Sequence, residues 1–303
     1  MELNTEDKKK AAFVAVVGRP SAGKSTLVNS LCGAKVAIVS PVPQTTRNAI
    51  RGIVNREEGQ LVFVDTPGQH ISDKKLNKKL MDVAGRVVGE SELVLYVLDA
   101  SRKPGAEEAA IAEKLRPLSG RMVAAINKID SPAADVGAVR EFVGQQLPDL
   151  DEGRYCSISA LKNEGTDTVL RRLFDLAETG DAFYPEEYYT DQDLHFRIAE
   201  IIREKAINRL RQELPHSLYV EVADAELREE DTKLWVRAFI IVERESQKGM
   251  VVGKGGAMIK AIREAAQKDL KKILDWKIEL DLRVKAAHDW RHNDATLHKL
   301  IDR

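Results

Sequence analysis

The chain has 303 residues, room for about two domains with a core each, and 43% hydrophobic with 31% charged residues is a globular mix rather than a disordered or membrane one. A net charge of −1 announces no polyanionic partner, so any nucleic-acid contact has to be argued locally. The apolar runs are too short to span a bilayer, "MELNTEDKKK" lacks the core of a signal peptide, and Cys32 and Cys156, both in packed stretches, suit a reducing cytoplasm without disulfides.

From Ala11 to about Ala177 short apolar runs alternate with amphipathic ones. "AAFVAVVG", "QLVFVDTPG", "ELVLYVLDA", "RMVAAINKID" and "RYCSISAL" predict five buried strands, and segments such as "KSTLVNSLCG" and "TDTVLRRLFDLAE" predict helices between them. That alternation implies an α/β domain, here 8–180, whose mostly parallel sheet has helices on both faces. In such a sheet ligands bind beyond the carboxyl ends of the strands. Residues 181–193, within an acidic and aromatic tract without period, are assigned as a linker. A long helix, "DLHFRIAEIIREKAINRLRQEL", then runs up to Pro215. Strands "SLYVEVADAE" and "KLWVRAFIIVER", a glycine turn, a helix to about Leu274, a strand "KIELDLRVK" and a short last helix complete a second, α+β domain over 194–303. Its order is α-β-β-α-α-β.

Four strand-end loops carry the chemistry of the first domain. "GRPSAGKS", between a strand and a helix, fits G-x-x-x-x-G-K-[ST], in which backbone N–H groups and the helix dipole converge on phosphate. Its binding set is Gly18, Arg19, Pro20, Ser21, Ala22, Gly23, Lys24, Ser25 and Thr26, with Lys24 on the β- and γ-phosphates and Ser25 on Mg²⁺. In "DTPG", Asp65 is placed to hold the metal's water shell and Gly68 to offer its N–H to the γ-phosphate, with Thr66 and Pro67 between them. In "NKID", Asp130 accepts the N1–H and 2-amino protons of guanine, Asn127 braces the loops, Lys128 packs along the base, and Ile129 completes the turn. Adenine lacks the N1–H, so it would leave a buried acceptor unmet. In "SAL", Ser159 and the N–H of Ala160 lie near guanine O6. In this order and setting the motifs resemble those of P-loop GTPases, which makes GTP and GDP the expected ligands.

"SPVPQTTRNAI" fits a first switch, with Thr46 chosen as the Mg²⁺-contacting threonine and Thr45 as its rival. The polar residues after Gly68 suit a second switch ordered by the γ-phosphate. The expected metal set is Ser25, Thr46 and Asp65, and the expected catalytic set is Lys24, Thr46 and Gln69.

The second glycine cluster, "MVVGKGGAMIK", has G-x-x-G spacing but no lysine-serine pair after it, so it does not repeat the first loop's metal chemistry. In an α-β-β-α-α-β domain such a turn is how KH modules clamp about four nucleotides of a single strand. Gly253, Lys254, Gly255 and Gly256 form the expected RNA-binding turn, with Lys248, Lys260 and Arg263 beside it. Between Arg244 and Lys272 eight basic residues face three acidic ones, a local excess that the whole-chain charge conceals.

A GTPase domain, this linker and a type II KH domain together resemble the Era-type GTPases, over about Ala11 to Asp294. The resemblance implies a monomeric, cytoplasmic GTP-hydrolysing switch that binds the single-stranded 3′ end of 16S rRNA and assists assembly of the 30S subunit. The alternative is a regulatory GTPase at the inner face of the cell membrane, its basic face on anionic lipid and its task to couple growth or cell cycle to ribosome status. Two positions depart from the family. Ser21 stands where members carry an asparagine that helps hold a catalytic potassium ion, which weakens the case for a monovalent cation. Gln69 stands where members carry an apolar residue; either it orients the attacking water or it points to solvent. His288 and His292 are read as a solvated helix rather than zinc ligands, and Trp235, Trp276 and Trp290 as packing residues.

Overall fold

The computed structural model describes residues 9–42, 45–68, 75–211, 214–230 and 232–301. The chain divides into two compact units: the segments up to Ala37 and Thr46–Asp191 form one, and Ile38–Thr45 with the chain from Gln192 onward form the other.

The first unit runs β1 (Lys10–Val17), α1 (Lys24–Cys32), β2 (Ile50–Arg56), β3 (Gly59–Asp65), α2 (Lys75–Glu90), β4 (Leu93–Asp99), α3 (Ala106–Leu115), β5 (Met122–Asn127), α4 (Val136–Gln146), β6 (Tyr155–Ser157) and α5 (Thr166–Leu176). Its six-stranded sheet has the order β2-β3-β1-β4-β5-β6. All neighbours are parallel except β2 and β3. Every residue of β3, β4 and β5 is buried, as a strand covered on both faces requires. Val14, Val16, Leu27, Phe63, Leu95 and Leu173 belong to the core of one face.

β2 is a sixth strand beyond the five predicted from sequence. In "IRGIVNR" charged and amide residues interrupt the apolar run, and Gly52 supplies close approach rather than β propensity. A methyl at Gly52 would stand 2.7 Å from Cys32 Sγ and 2.8 Å from Val28 Cγ1. The assigned linker also differs from a free connector. The Gln60 side-chain amide donates to Tyr184 O and accepts from the N–H groups of Phe183 and Tyr184. Asn55 donates to Glu186 O, Ile53 N–H to Tyr189 O, and Arg51 pairs with Asp191. The tract has no period because side chains and the β2 edge, not a ladder of its own, satisfy its backbone.

The second unit contains α6 (Leu194–Ile207), β7 (Leu218–Arg228), β8 (Lys233–Val242), α7 (Glu245–Val252), α8 (Ala257–Ile273), β9 (Lys277–Ala286) and α9 (Asp294–Ile301). β7 is antiparallel and β9 parallel to the central β8, so the order α-β-β-α-α-β closes into one mixed sheet. The alternating burial of β8 sends Leu234, Val236, Ala238 and Ile240 into a core shared with Ile202 and Ile262. Asp193 caps α6 by accepting from the N–H groups of His195 and Phe196. That helix ends at Ile207 rather than running on to Pro215. Asn208 takes the C-cap and donates to Val39 O, and Leu210 and Leu214 turn into the core. Trp290 is buried, donates to Ser217 O at 3.1 Å and meets Tyr219 edge-on, whereas the Trp235 ring stacks with the guanidinium groups of Arg228 and Arg237, 4.2 Å and 4.8 Å from its centre.

Candidate functional site

The phosphate loop occupies the turn from β1 to α1. A methyl on Gly18 would stand 2.4 Å from Val97 O, and one on Gly23, at φ 95°, would stand 2.3 Å from Asn127 Nδ2. Both glycines are required by close approach. α1 starts at Lys24 with no side-chain cap, which leaves its first N–H groups for an anion. Lys24 is buried, and its Nζ donates to Gly18 O at 3.0 Å and Arg19 O at 3.1 Å. Burial lowers its pKa to about 8, against the pull of Asp65. Ala22 is buried, Thr26 half-buried, and Ser21 exposed at φ 63°. Arg19 turns to Glu107 and Glu108 near the start of α3.

Ser25, Thr46 and Asp65 meet at one corner. Ser25 Oγ donates to Asp65 Oδ2 at 2.6 Å, Thr46 Oγ1 lies 3.0 Å from Ser25 Oγ, and Thr46 donates to Asp65 Oδ2 at 3.4 Å. Asp65 Oδ1 is buried with no partner among the described residues. Burial raises the Asp65 carboxyl pKa, and Lys24 and the two hydroxyls oppose that rise. Three hard oxygen donors around an unmet buried carboxylate oxygen fit a divalent cation of the magnesium type. Thr45, the rival, turns its hydroxyl to Val42 O instead, at 2.6 Å. Thr66 donates to Val16 O, Pro67 is buried, and Gly68 packs against Pro20, where a methyl would come within 2.8 Å. Gln69 lies outside the described residues.

Asn127, 2% exposed, ties two loops together. It donates to Ala22 O at 2.9 Å and accepts from the N–H of Ala160 at 3.0 Å. Asp130 accepts from Ser159 Oγ at 2.6 Å, and that bond holds its carboxyl below the usual range. Ile129 N–H reaches Ile158 O. Lys128, at φ 68°, pairs with Asp99 at 2.6 Å. Burial alone would raise the Asp99 pKa, but Lys128 and Ser101 hold it low. Asp99 was not singled out in the sequence; the available signal was its place at the end of β4, a carboxylate where the sheet presents ligands.

In the second unit Gly253 (φ 74°), Gly255 (φ 60°) and Gly256 (φ 78°) form the bend from α7 to α8. A methyl on Gly253 would stand 2.7 Å from Met258 Cβ, whereas Gly255 and Gly256 face open space. Lys254, Lys260 and Arg263 are exposed, and Met250 presents an apolar side chain that is 51% exposed. Lys248 pairs with Glu245 at 2.7 Å and Lys260 with Glu264 at 3.9 Å, so part of the local basic excess is balanced in place.

A family model described as a 50S ribosome-binding GTPase matches residues 13–128, and one described as a KH domain matches 213–291. GTPase Era of Treponema denticola is 50% identical over 290 residues, spanning 96% of this chain and 99% of that protein. The chain belongs to the Era family of GTPases. GTPase Era of Borreliella burgdorferi is 43% identical, covering 97% of this chain and all of that protein. Among solved structures, Era in complex with MgGDPNP and nucleotides 1506–1542 of 16S ribosomal RNA superposes with a TM-score of 0.90 at 33% identity, over 96% of this chain and 98% of that one. A single-residue variant of Aquifex aeolicus Era bound to GDP·AlF4⁻ gives 0.90 at 32% identity, over 95% and 98%. The expected P-loop GTPase fold followed by a KH domain is thereby established for this Era-family chain. No helix among its described residues is long and apolar enough to cross a membrane.

Proposed function

We propose that this Era-family GTPase is a Mg²⁺-dependent switch that binds single-stranded rRNA at the 3′ end of the small-subunit 16S RNA and assists 30S assembly. The observation that carries the reading is the whole-chain likeness to an Era structure holding both MgGDPNP and 16S nucleotides, together with a glycine turn here that is open to a strand. Gly18–Thr26 and the start of α1 cradle the phosphates, and Lys24 brings its charge to the β- and γ-oxygens. Ser25, Thr46 and Asp65 hold the metal, which when bound neutralises charge on the β- and γ-phosphate oxygens. The N–H of Gly68 meets the γ-phosphate. Asp130 reads guanine, Ala160 offers its N–H to O6, and Asn127 keeps those loops in register with the phosphate loop. The Lys128 stem, fixed by Asp99, lies along the base. In the KH domain Gly255 and Gly256 admit the RNA backbone, with Lys254, Lys248, Lys260 and Arg263 around it. The protein acts as a monomer in the cytoplasm; contact with the membrane is tested by flotation with anionic vesicles.

The test is the affinity of a 3′-terminal 16S oligonucleotide for the GTP-analogue-bound and GDP-bound protein at fixed salt, beside a scrambled oligonucleotide and a Gly255→Asp variant. Tighter, sequence-dependent binding in the analogue state, lost in the variant, is expected. Absence of binding in both states would overturn the RNA half of this reading.

A further inference from the structure

Between Gly18 and Gly23 the phosphate loop has one side chain long enough to reach another element, that of Arg19. Gly18, before it, has no room for a side chain, because even a methyl would meet Val97 O at 2.4 Å. The Arg19 side chain is 14% exposed and turns to α3, where its Nε lies 3.2 Å from Glu107 Oε2 and 3.2 Å from Glu108 Oε1. Both carboxylates stand in the first turn of that helix, whose dipole favours negative charge. Glu108 is itself fixed. It is buried, its Oε2 accepts from Gly105 N–H at 2.9 Å, and its carbonyl accepts from the hydroxyl of Tyr96, a buried residue of β4. The guanidinium completes the pairing that a buried carboxylate needs, so the anchor belongs to the core rather than to a solvated surface pair.

The backbone of the same residue governs Lys24. Lys24 Nζ donates to Gly18 O at 3.0 Å and to Arg19 O at 3.1 Å, so two successive carbonyls at the start of the loop set where the ammonium stands. Each of those carbonyls lies in a rigid peptide plane that includes the Arg19 Cα. Fixing that atom from its side chain steadies both. The far end of the loop has a separate tether, Asn127 on Ala22 O. We infer that Arg19, anchored by Glu107 and Glu108, is a positioning residue for the Lys24 ammonium and serves phosphate binding without its guanidinium touching phosphate. The inference rests on the reading that Lys24 meets the β- and γ-phosphates. A clamp and a phosphate ligand differ in sign once the two carboxylates are neutralised. A freed ligand, with two negative charges fewer beside an anion site, binds phosphate more tightly; a clamp that has lost its anchor binds it less tightly.

The test is calorimetric titration of the full chain with GDP in the presence of Mg²⁺ at neutral pH, with native circular dichroism checked for every variant. Arg19→Gln should weaken GDP binding about tenfold, the weight of one hydrogen bond to a charged group. The double variant Glu107→Gln with Glu108→Gln leaves the loop's own sequence intact, should also weaken GDP binding, and serves if Arg19→Gln does not fold. In a Lys24→Met background Arg19→Gln should add less than about twofold, because the group it positions has gone. Unchanged or tighter GDP binding in the carboxylate variant would overturn the inference. A further loss of about tenfold in the Lys24→Met background would mean general loosening of the loop and overturn it as well. So would parental GDP binding by Arg19→Gln beside weakened binding by Lys24→Met. Parental GDP binding by Lys24→Met itself would instead overturn the reading of the phosphate loop on which the inference stands.

Discussion

Gly23→Ala is expected to damage guanine recognition, although residue 23 sits in the phosphate loop. The new Cβ would lie 2.3 Å from Asn127 Nδ2, on a backbone at φ 95°. Left-handed strain costs about 1–2 kcal/mol. Displacing Asn127 strands Ala22 O and the N–H of Ala160, both buried, at roughly 1–3 kcal/mol each. The sum is about 3 kcal/mol or more; with the free loop relaxing to escape that cost and GDP binding restoring the loop, GDP affinity should fall at least about a hundredfold. Asn127→Ala alone should cost the two stranded groups. In the double variant the clash has gone and only the strain is added, so the single costs should overshoot the double by about 2 kcal/mol. Calorimetric GDP titration of the four proteins, each checked for native circular dichroism, measures this coupling. Additive costs within about 0.5 kcal/mol, or a Gly23→Ala loss below about fivefold, would refute the claim that one amide ties the two loops together.

Lys24, with its pKa lowered to about 8 by burial, binds its proton less tightly folded than unfolded, where 10.5 applies. Stability of the nucleotide-free protein should therefore rise with pH above about 8, and relative to Lys24→Met the gain from pH 8 to 9 is about 1 kcal/mol by thermal denaturation. Cys32, raised by burial to about 12, and Cys156, to about 11, act oppositely above about pH 9, because unfolded thiols ionise first. Gly253→Ala should lower the melting temperature of the KH unit, since its methyl meets Met258 at 2.7 Å; Gly255→Asp, facing open space, should cost only about 1 kcal/mol while abolishing RNA binding. Asp99→Asn removes the partner of Lys128 and should weaken GDP by about tenfold, read by the same calorimetry, with the GDP-to-IDP preference kept because Asp130 is untouched.

The strand ends were legible because each apolar run stops at a polar loop, and four of those loops carry residue types with few uses besides nucleotide chemistry. Thr46 and Asp65 are 19 residues apart yet share a corner, which the motif order anticipated. The choice of Thr46 over Thr45 had no sequence basis beyond its neighbours; the structure separates the two by the direction of their hydroxyls. β2 escaped notice because an edge strand antiparallel to a buried one needs little hydrophobicity, and Gly52 lowers what it has. Lys128 and Asp99 meet across the β4–β5 pair, a proximity that no local pattern encodes. The assignment of 38–45 to the second unit was equally hidden. Its bonds run from backbone atoms to Arg203, Glu204 and Asn208 far along the chain, and backbone partners leave no signature in side-chain periodicity.

That last arrangement has a consequence for biosynthesis. Thr45 and Arg203 are 158 residues apart, so at about 5–20 residues per second a translating ribosome makes the segment roughly 8–30 s before its helix. The sheet around Lys24 and Asp65 can form meanwhile, with the carbonyl of Thr45 still without Arg203. A nascent chain is thus born with the sheet of its first unit nearly complete and the Ile38–Thr45 segment still waiting for the unit it belongs to, and that segment is tied down only when the last third of the protein has emerged.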